Sequence, residues 1–180
     1  MKNKNIVLGV TGSIAAYKAC DVLRRLQEKG CHVSVVMTKE AEKFVSAMTF
    51  ANLSGGETYG DMFESQGQSW SMHHIALAQK ASLILIAPAT ANIIGKLAHG
   101  ISDDLLTCIA ITTKAPILIA PAMNNEMYKN SIVQENIAKL KKHGFQFIDP
   151  VKGQLACGIN DIGHLAEVEH IVSVALRSLK

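Results

Sequence analysis

Apolar positions along the chain form two alternating kinds of segment. "NIVLGV" at 5–10 is a short unbroken run, the pattern of a strand buried on both faces of a parallel sheet. "CHVSVVMT" at 31–38, "ASLILIAPAT" at 81–90 and "APILIAPAMN" at 115–124 repeat it, and "FQFID" at 145–149 is a weaker fifth strand. Between these runs the apolar residues recur at helical spacing. Ala16, Ala19, Leu23 and Leu26 step by three and four, Lys18, Asp21, Arg25 and Glu28 take the opposite face, and Gly30 stands where the helix should end. Over 131–143, Val133, Ile137 and Leu140 face inward, Ser131 and Gln134 read as a capping-box pair, and Gly144 closes the helix. A C-terminal helix buries Val168, Val172, Ala175 and Leu179.

Strands that alternate with helices predict an α/β fold, here a single three-layer domain over 1–180 with a parallel sheet, of the Rossmann-like or flavodoxin-like kind. Such sheets bind ligands beyond the C-terminal ends of their strands. That rule puts "TGS", "MTKEA", "APATAN" and "APAMNNEM" along one edge. The stretch 54–72, "SGGETYGDMFESQGQSWSM", has little periodicity and reads as a loop or flap.

Composition narrows the function classes. Hydrophobic residues make up 48% and charged residues 18% of 180, apolar enough to predict that some surface is covered in a homo-oligomer. The net charge of +3 comes from 18 basic and 15 acidic residues scattered without a basic stripe, so no nucleic acid partner is expected. Cysteines at 20, 31, 108 and 157 form no C-x-x-C pair and have no histidine at zinc-finger spacing; they read as reduced thiols, with no metal site. The opening "MKNKNIVLGVTGSIAA" imitates a signal peptide, but Thr11, Gly12 and Ser13 interrupt its apolar stretch. No run approaches the roughly 20 apolar residues of a membrane span. A cytoplasmic protein is expected.

"GVTGSIAAYK" at 9–18 is a glycine loop between a strand and a helix. It matches neither G-x-G-x-x-G nor the nucleoside-triphosphate loop, and Lys18 lies too far into the helix to act as the lysine of the latter. Ser13 and Thr90 each read equally well as helix N-caps or as contacts to an anion held at a helix N-terminus. Taken jointly, they suggest a phosphate and a ring bound across the sheet edge. The missing third glycine, and the lack of an acidic residue ending the second strand, favour a mononucleotide over a dinucleotide. Flavin mononucleotide is the leading candidate.

Three further segments carry chemistry. In "WSMHHIALAQKA" at 70–81 two histidines open an apolar-periodic helix, whose positive end favours a neutral imidazole suited to proton transfer; His74 is preferred to His73. In "PAMNNEMY" at 121–128, Asn124 reads as a helix cap or as a clamp for a substrate carboxylate or amide, while Met123 and Met127 read as packing residues. In "GQLACGIND" at 153–161, Cys157 sits in a glycine-rich loop, not on an apolar face as Cys31 and Cys108 do. A thiol titrating near about 8.5 stays mostly protonated at neutral pH and can donate a proton.

With these residues in place, the chain resembles the flavin-containing cysteine decarboxylases, and among them the branch that works in coenzyme A biosynthesis. The likeness runs from about residue 5 to residue 175 and rests on "GVTGSIAAYK", "HIALA", "APATANIIGKLAHGISDDLLT", "PAMNNEMY" and "LACG" in that order. It implies bound FMN contacted by Gly12, Ser13, Thr38, Thr90, Asn92 and Ala122. It also implies His74 as the active-site histidine, Asn124 as a clamp on the substrate carboxylate and Cys157 as a proton donor on a flap. The implied substrate is 4'-phosphopantothenoylcysteine, decarboxylated to 4'-phosphopantetheine through a thioaldehyde and an enethiolate. Trimers, with flavin at the subunit boundary, are implied too, and the ligase that makes the substrate is expected on a separate chain. After the cysteine the family pattern reads like GDxGxGR, whereas this chain has "GINDIGHLAE", with Gly163 and His164 in place of the Gly-Arg pair. Three alternatives share the fold: a peptidyl-cysteine decarboxylase, which stops at the enethiol, a flavin prenyltransferase, and a flavin-binding regulatory subunit without catalysis.

Overall fold

The structure, a computed structural model, describes residues 4–56, 58–62, 73–154 and 158–179. β1 (Asn5–Val10) leads through a 3-10 turn (Ile14–Tyr17) into α1 (Lys18–Glu28), and β2 (His32–Met37) is followed by α2 (Ala47–Ser54) and the two-residue β3 (Thr58–Tyr59). α3 (His73–Lys80) precedes β4 (Leu83–Ala89), after which α4 (Ala91–His99) and α5 (Leu105–Thr112) lead to β5 (Ile117–Pro121). α6 (Asn125–Lys129) and α7 (Ser131–Lys142) precede β6 (Gln146–Phe147). A hairpin of β7 (Val151–Gln154) and β8 (Asn160–His164) comes before α8 (Val168–Ser178).

The main sheet has the order β3-β2-β1-β4-β5-β6, and every pairing in it is parallel. The chain winds outward from β1 to β3 and then reverses at β4, so the switch point lies between β1 and β4. The five strands anticipated from apolar runs are all present, as is the three-layer α/β arrangement. Alternate residues of β1 feed opposite layers: Ile6, Leu8 and Val10 pack with Leu23 of α1 and Ile171 of α8, while Val7 packs with Ile94 and Leu106 on the other face. Leu23 and Leu26 are fully buried and each contributes roughly 2 kcal/mol through removal of apolar area from water.

Two local expectations need correction. α7 is capped by Asn130, whose side chain accepts from the Ile132 amide at 3.0 Å, and not by a Ser131–Gln134 box. Gln134 instead donates from Nε2 to the Tyr128 carbonyl. The stretch 54–72 begins with the end of α2 and contains β3, a short edge strand on β2; residues 63–72 lie outside the described set.

The segment "APATANIIGKLAHGISDDLLT" is mostly scaffold. Thr90 caps α4 by accepting from the Ile93 amide. Lys96 Nζ lies 2.8 Å from Asp103 and 3.0 Å from Asp104. Partial burial works against the charge of Lys96, but the hydrogen bonds to the two carboxylates outweigh it and hold the ammonium above its ordinary range. Asp104 also closes a reciprocal capping box with Thr107 at the start of α5. Asp104→Ala removes the cap and one carboxylate together, so we expect a loss of about 1–2 kcal/mol. In thermal unfolding this lowers Tm by about 2–8 °C; an unchanged Tm would show that the corner carries no such load.

Candidate active site

A cleft of about 690 Å³ opens beyond the C-terminal ends of β1, β4 and β5, at the switch point where an open parallel sheet parts its crossover loops. Gly12 and Ser13 enter from β1, Thr90 from β4, and Ala122 and Asn124 from β5. The predicted edge is therefore real for these five residues. Thr38 is buried just past β2, with its amide donating to the Val10 carbonyl at 3.0 Å, and does not line the cleft. Asn92 is exposed in the first turn of α4, and His74 is half-buried in the first turn of α3; neither lines the cleft. Cys157 lies outside the described residues.

Close approach of loops builds the cleft's floor. A Cβ on Gly12 would overlap the Glu40 Cβ and come within 3.3 Å of the Glu40 carbonyl, so the β1 and β2 loops meet only because position 12 carries no side chain. Ser13 is the N-cap of the 3-10 turn, accepting from the Ala15 amide at 3.3 Å, and its hydroxyl lies 3.5 Å from the Ala122 carbonyl. Thr11 ties the two central loops together: its buried hydroxyl donates to the Pro88 carbonyl at 2.8 Å and accepts from the Thr90 amide at 3.1 Å. The sequence marks Thr11 as a break in an apolar stretch and as part of the strand-end segment, without assigning it a contact. Its place in the "TGS" segment was the available signal.

Of the two readings the sequence allowed for Asn124, the structure shows the helix cap. Its Oδ1 accepts from the Glu126 amide at 2.8 Å, capping α6, and the residue lines the cleft. With the oxygen engaged in the cap, the amide nitrogen is the group suited to a carboxylate, which only accepts hydrogen bonds. Met123 packs against the core as expected, whereas Met127 is 48% exposed and, like Ile14 at 61% and Tyr17 at 59%, borders the cleft. A cleft edged by three exposed apolar side chains is incompletely covered by its own chain.

The fourth wall comes from the segment that follows Cys157. β8 contributes Gly163 and His164, and Lys18 Nζ lies 2.8 Å from His164 Nε2. Lys18 thus reaches the cleft's edge by way of an imidazole. Asp161 pairs with Lys129 and accepts from Asn125 Nδ2 at 3.1 Å. The Lys129 hydrogen bond, aided by the Ile162 amide, holds the Asp161 carboxyl below the usual carboxylate range, and the same bond holds Lys129 above its own. Burial, as the largest cause, pushes the Cys20, Cys31 and Cys108 thiols up, which favours the protonated thiol over the reactive thiolate. Among the described residues no cluster could hold a metal ion, and no helix is long and apolar enough to cross a membrane.

Comparison with known proteins adds what geometry alone does not. The chain is 48% identical over 175 residues to the coenzyme A biosynthesis bifunctional protein CoaBC of Bacillus subtilis (strain 168), covering 97% of this chain and 43% of that protein. It therefore spans less than half the length of that relative. A probable phosphopantothenoylcysteine decarboxylase of Streptococcus mutans is 43% identical over 171 residues, 94% of this chain and 95% of its own length. Among solved structures, a cysteine-to-serine mutant of PPC decarboxylase complexed with pantothenoylaminoethenethiol superposes with a TM-score of 0.85 at 31% identity, covering 98% of this chain and 97% of that one. The FMN-dependent cysteine decarboxylase SpaF gives 0.84 at 29% identity, covering 98% and 97%. Residues 1–180 match the Flavoprotein family along their whole length, and the chain belongs to that family.

Proposed function

We propose that this chain catalyses FMN-dependent decarboxylation of 4'-phosphopantothenoylcysteine to 4'-phosphopantetheine, the carboxy-lyase step of coenzyme A biosynthesis. The observation that carries the reading is the joining of the glycine loop (Gly12, Ser13) and Thr90 with Asn124 in one cleft. This supplies an anion-binding side and a carboxylate-binding side. The names of the relatives point the same way. The residues fit the cofactor: Gly12 admits no side chain against the Glu40 loop, leaving backbone and the Ser13 and Thr90 hydroxyls to face a phosphate, while Ala122 and Ile14 offer apolar surface to a flat ring.

When bound, flavin supplies a reversible hydride acceptor for the substrate carbon that carries sulfur, which turns the carboxylate into the counterpart of a β-keto acid. The chain's own groups orient the substrate and move protons. Asn124 holds the carboxylate through its amide nitrogen until carbon dioxide leaves. His74 takes the proton from the substrate thiol, and Cys157 returns a proton to the carbon that lost the carboxylate. His74 does not line the cleft of its own chain, and the apolar rim of Ile14, Tyr17 and Met127 awaits a cover. Both facts support a homo-oligomer built on trimers in which a neighbour's His74 completes the site. Residues 1–180 are read as one domain and the protein as cytoplasmic.

The test is direct. Purified protein is incubated with 4'-phosphopantothenoylcysteine and the product is weighed; a mass lower by one carbon dioxide is expected. Unchanged substrate from flavin-loaded protein would overturn the reading. Cys157→Ser is expected to release carbon dioxide yet leave the unsaturated enethiol, lighter than the normal product by two hydrogens. Saturated product at the normal rate would remove Cys157 from the mechanism. The same experiment sets aside the peptidyl-cysteine decarboxylase, prenyltransferase and non-catalytic readings.

A further inference from the structure

β8 stands at the open side of the cleft and is held from three directions. At one end His164 accepts a hydrogen bond from Lys18, the first residue of α1, at 2.8 Å. In the middle Gly163 accepts from the Met123 amide at 3.1 Å. At the other end Asp161 takes Lys129 and the Asn125 side chain, both from α6. Asp161 and His164 stand where the GDxGxGR pattern has a glycine and an arginine, and Ile159 stands where it has an aspartate. Asp161 and His164 each have a charged or polar partner on a different wall of the cleft.

The Asp161 end bears directly on Asn124. Asn125 is 4% exposed, and its Nδ2 donates to Glu126 at 2.7 Å and to Asp161 at 3.1 Å. Its Oδ1 has no partner among the described residues. Burying an amide with an unpaired oxygen is unfavourable by itself, so the two charge-assisted bonds on the nitrogen are what keep Asn125 in place. Asn125 is the first residue of α6, and Asn124 is the cap of that helix. Anything that fixes residue 125 and the Lys129 end of the helix therefore fixes the amide of Asn124.

We propose that β8 is a polar brace across the cleft and that Asp161 is the positioning residue for Asn124, acting through Asn125 and Lys129. The proposal rests on the reading of Asn124 as the carboxylate clamp, and it predicts substrate binding in particular. Asp161→Asn and Lys129→Met each cut the ionic link; Lys129→Arg keeps it. Amide hydrogen exchange of the peptide covering 121–130 is measured in the flavin-loaded protein without substrate, followed by flavin affinity and by KM and kcat. In the first two variants exchange in 121–130 and the substrate KM are each expected to rise about fivefold, with kcat and flavin affinity within about twofold. The arginine variant should return both to the wild-type values. Unchanged exchange in Asp161→Asn and Lys129→Met overturns the brace, and so does a loss that arginine fails to restore. A wild-type protein that releases no carbon dioxide would overturn the functional reading alone, because the exchange comparison needs no substrate.

Discussion

His74→Asn is expected to leave flavin bound and to slow carbon dioxide release by about 10²–10⁴-fold, the range associated with removing a general acid or base. Asparagine keeps much of the polar shape of histidine but carries no group that takes a proton near neutral pH. His74 does not line the cleft of its own chain, so the flavin content should not change. A second measurement follows from the reading that a neighbour's His74 completes the site. A mixture of His74→Asn and Asn124→Ala chains, each inactive alone, should regain about one quarter of wild-type activity once subunits are exchanged, because each site then draws its histidine and its asparagine from different protomers. A mixture that stays inactive would place both residues in one chain's site, or His74 in none. Wild-type turnover by His74→Asn would remove the histidine from the chemistry altogether.

Gly163→Ala should be the most damaging small change in the described structure. Position 163 has a φ of 129°, a region that disfavours any side chain. An added Cβ would overlap the Met123 carbonyl oxygen and lie 3.5 Å from the Asn124 carbonyl carbon. The obstacle is backbone, and it is tethered, since the Met123 amide donates to Gly163 at 3.1 Å. Strain and overpacking together should cost about 3–5 kcal/mol. Displacement of Asn124 should lower kcat/KM by about 10²-fold in whatever fraction folds. Gly158→Ala supplies the comparison: φ is 84° there, but nothing lies within 4 Å of the added Cβ, so only about 1 kcal/mol is at stake. Equal effects of the two substitutions in urea unfolding would show that φ, and not contact with the Met123 loop, decides.

The reach of sequence reading can be traced residue by residue. Ile6, Val7 and Leu8 announce a strand covered on both faces because each is apolar, and the structure buries all three. Gly12, Ser13, Thr90, Ala122 and Asn124 follow such strands, so the strand-end rule alone places them together. Thr38 and Asn92 satisfy the same rule, yet the cleft bypasses them. For Thr38 the reason is strand order, since β2 lies one place outward from the β1–β4 switch; Asn92 follows β4 at the switch itself but is exposed in the first turn of α4. Met127 shows the reverse limit: an apolar residue at helical spacing predicts packing, but this one is 48% exposed at a rim. The β7–β8 hairpin gives no strand signal because its apolar residues, Val151 and Ile162, stand singly. "VKGQ" and "NDIGH" have no apolar run, and their partners Lys18, Met123, Asn125 and Lys129 lie 30 residues or more away in the chain.

Local burial pattern, then, was written into the order of residues: the kinds of element, their alternation, the parallel sheet and the glycine loop all follow from which neighbours avoid water. The composition of the cleft was not. It depends on Thr11 meeting Pro88 and Thr90, on Ser13 approaching Ala122 and on Lys18 reaching His164. These pairs are separated by 77 to 146 positions. Hydrophobic periodicity reports how one segment faces solvent, whereas such contacts come into being only when the sheet's winding has set distant strand ends side by side.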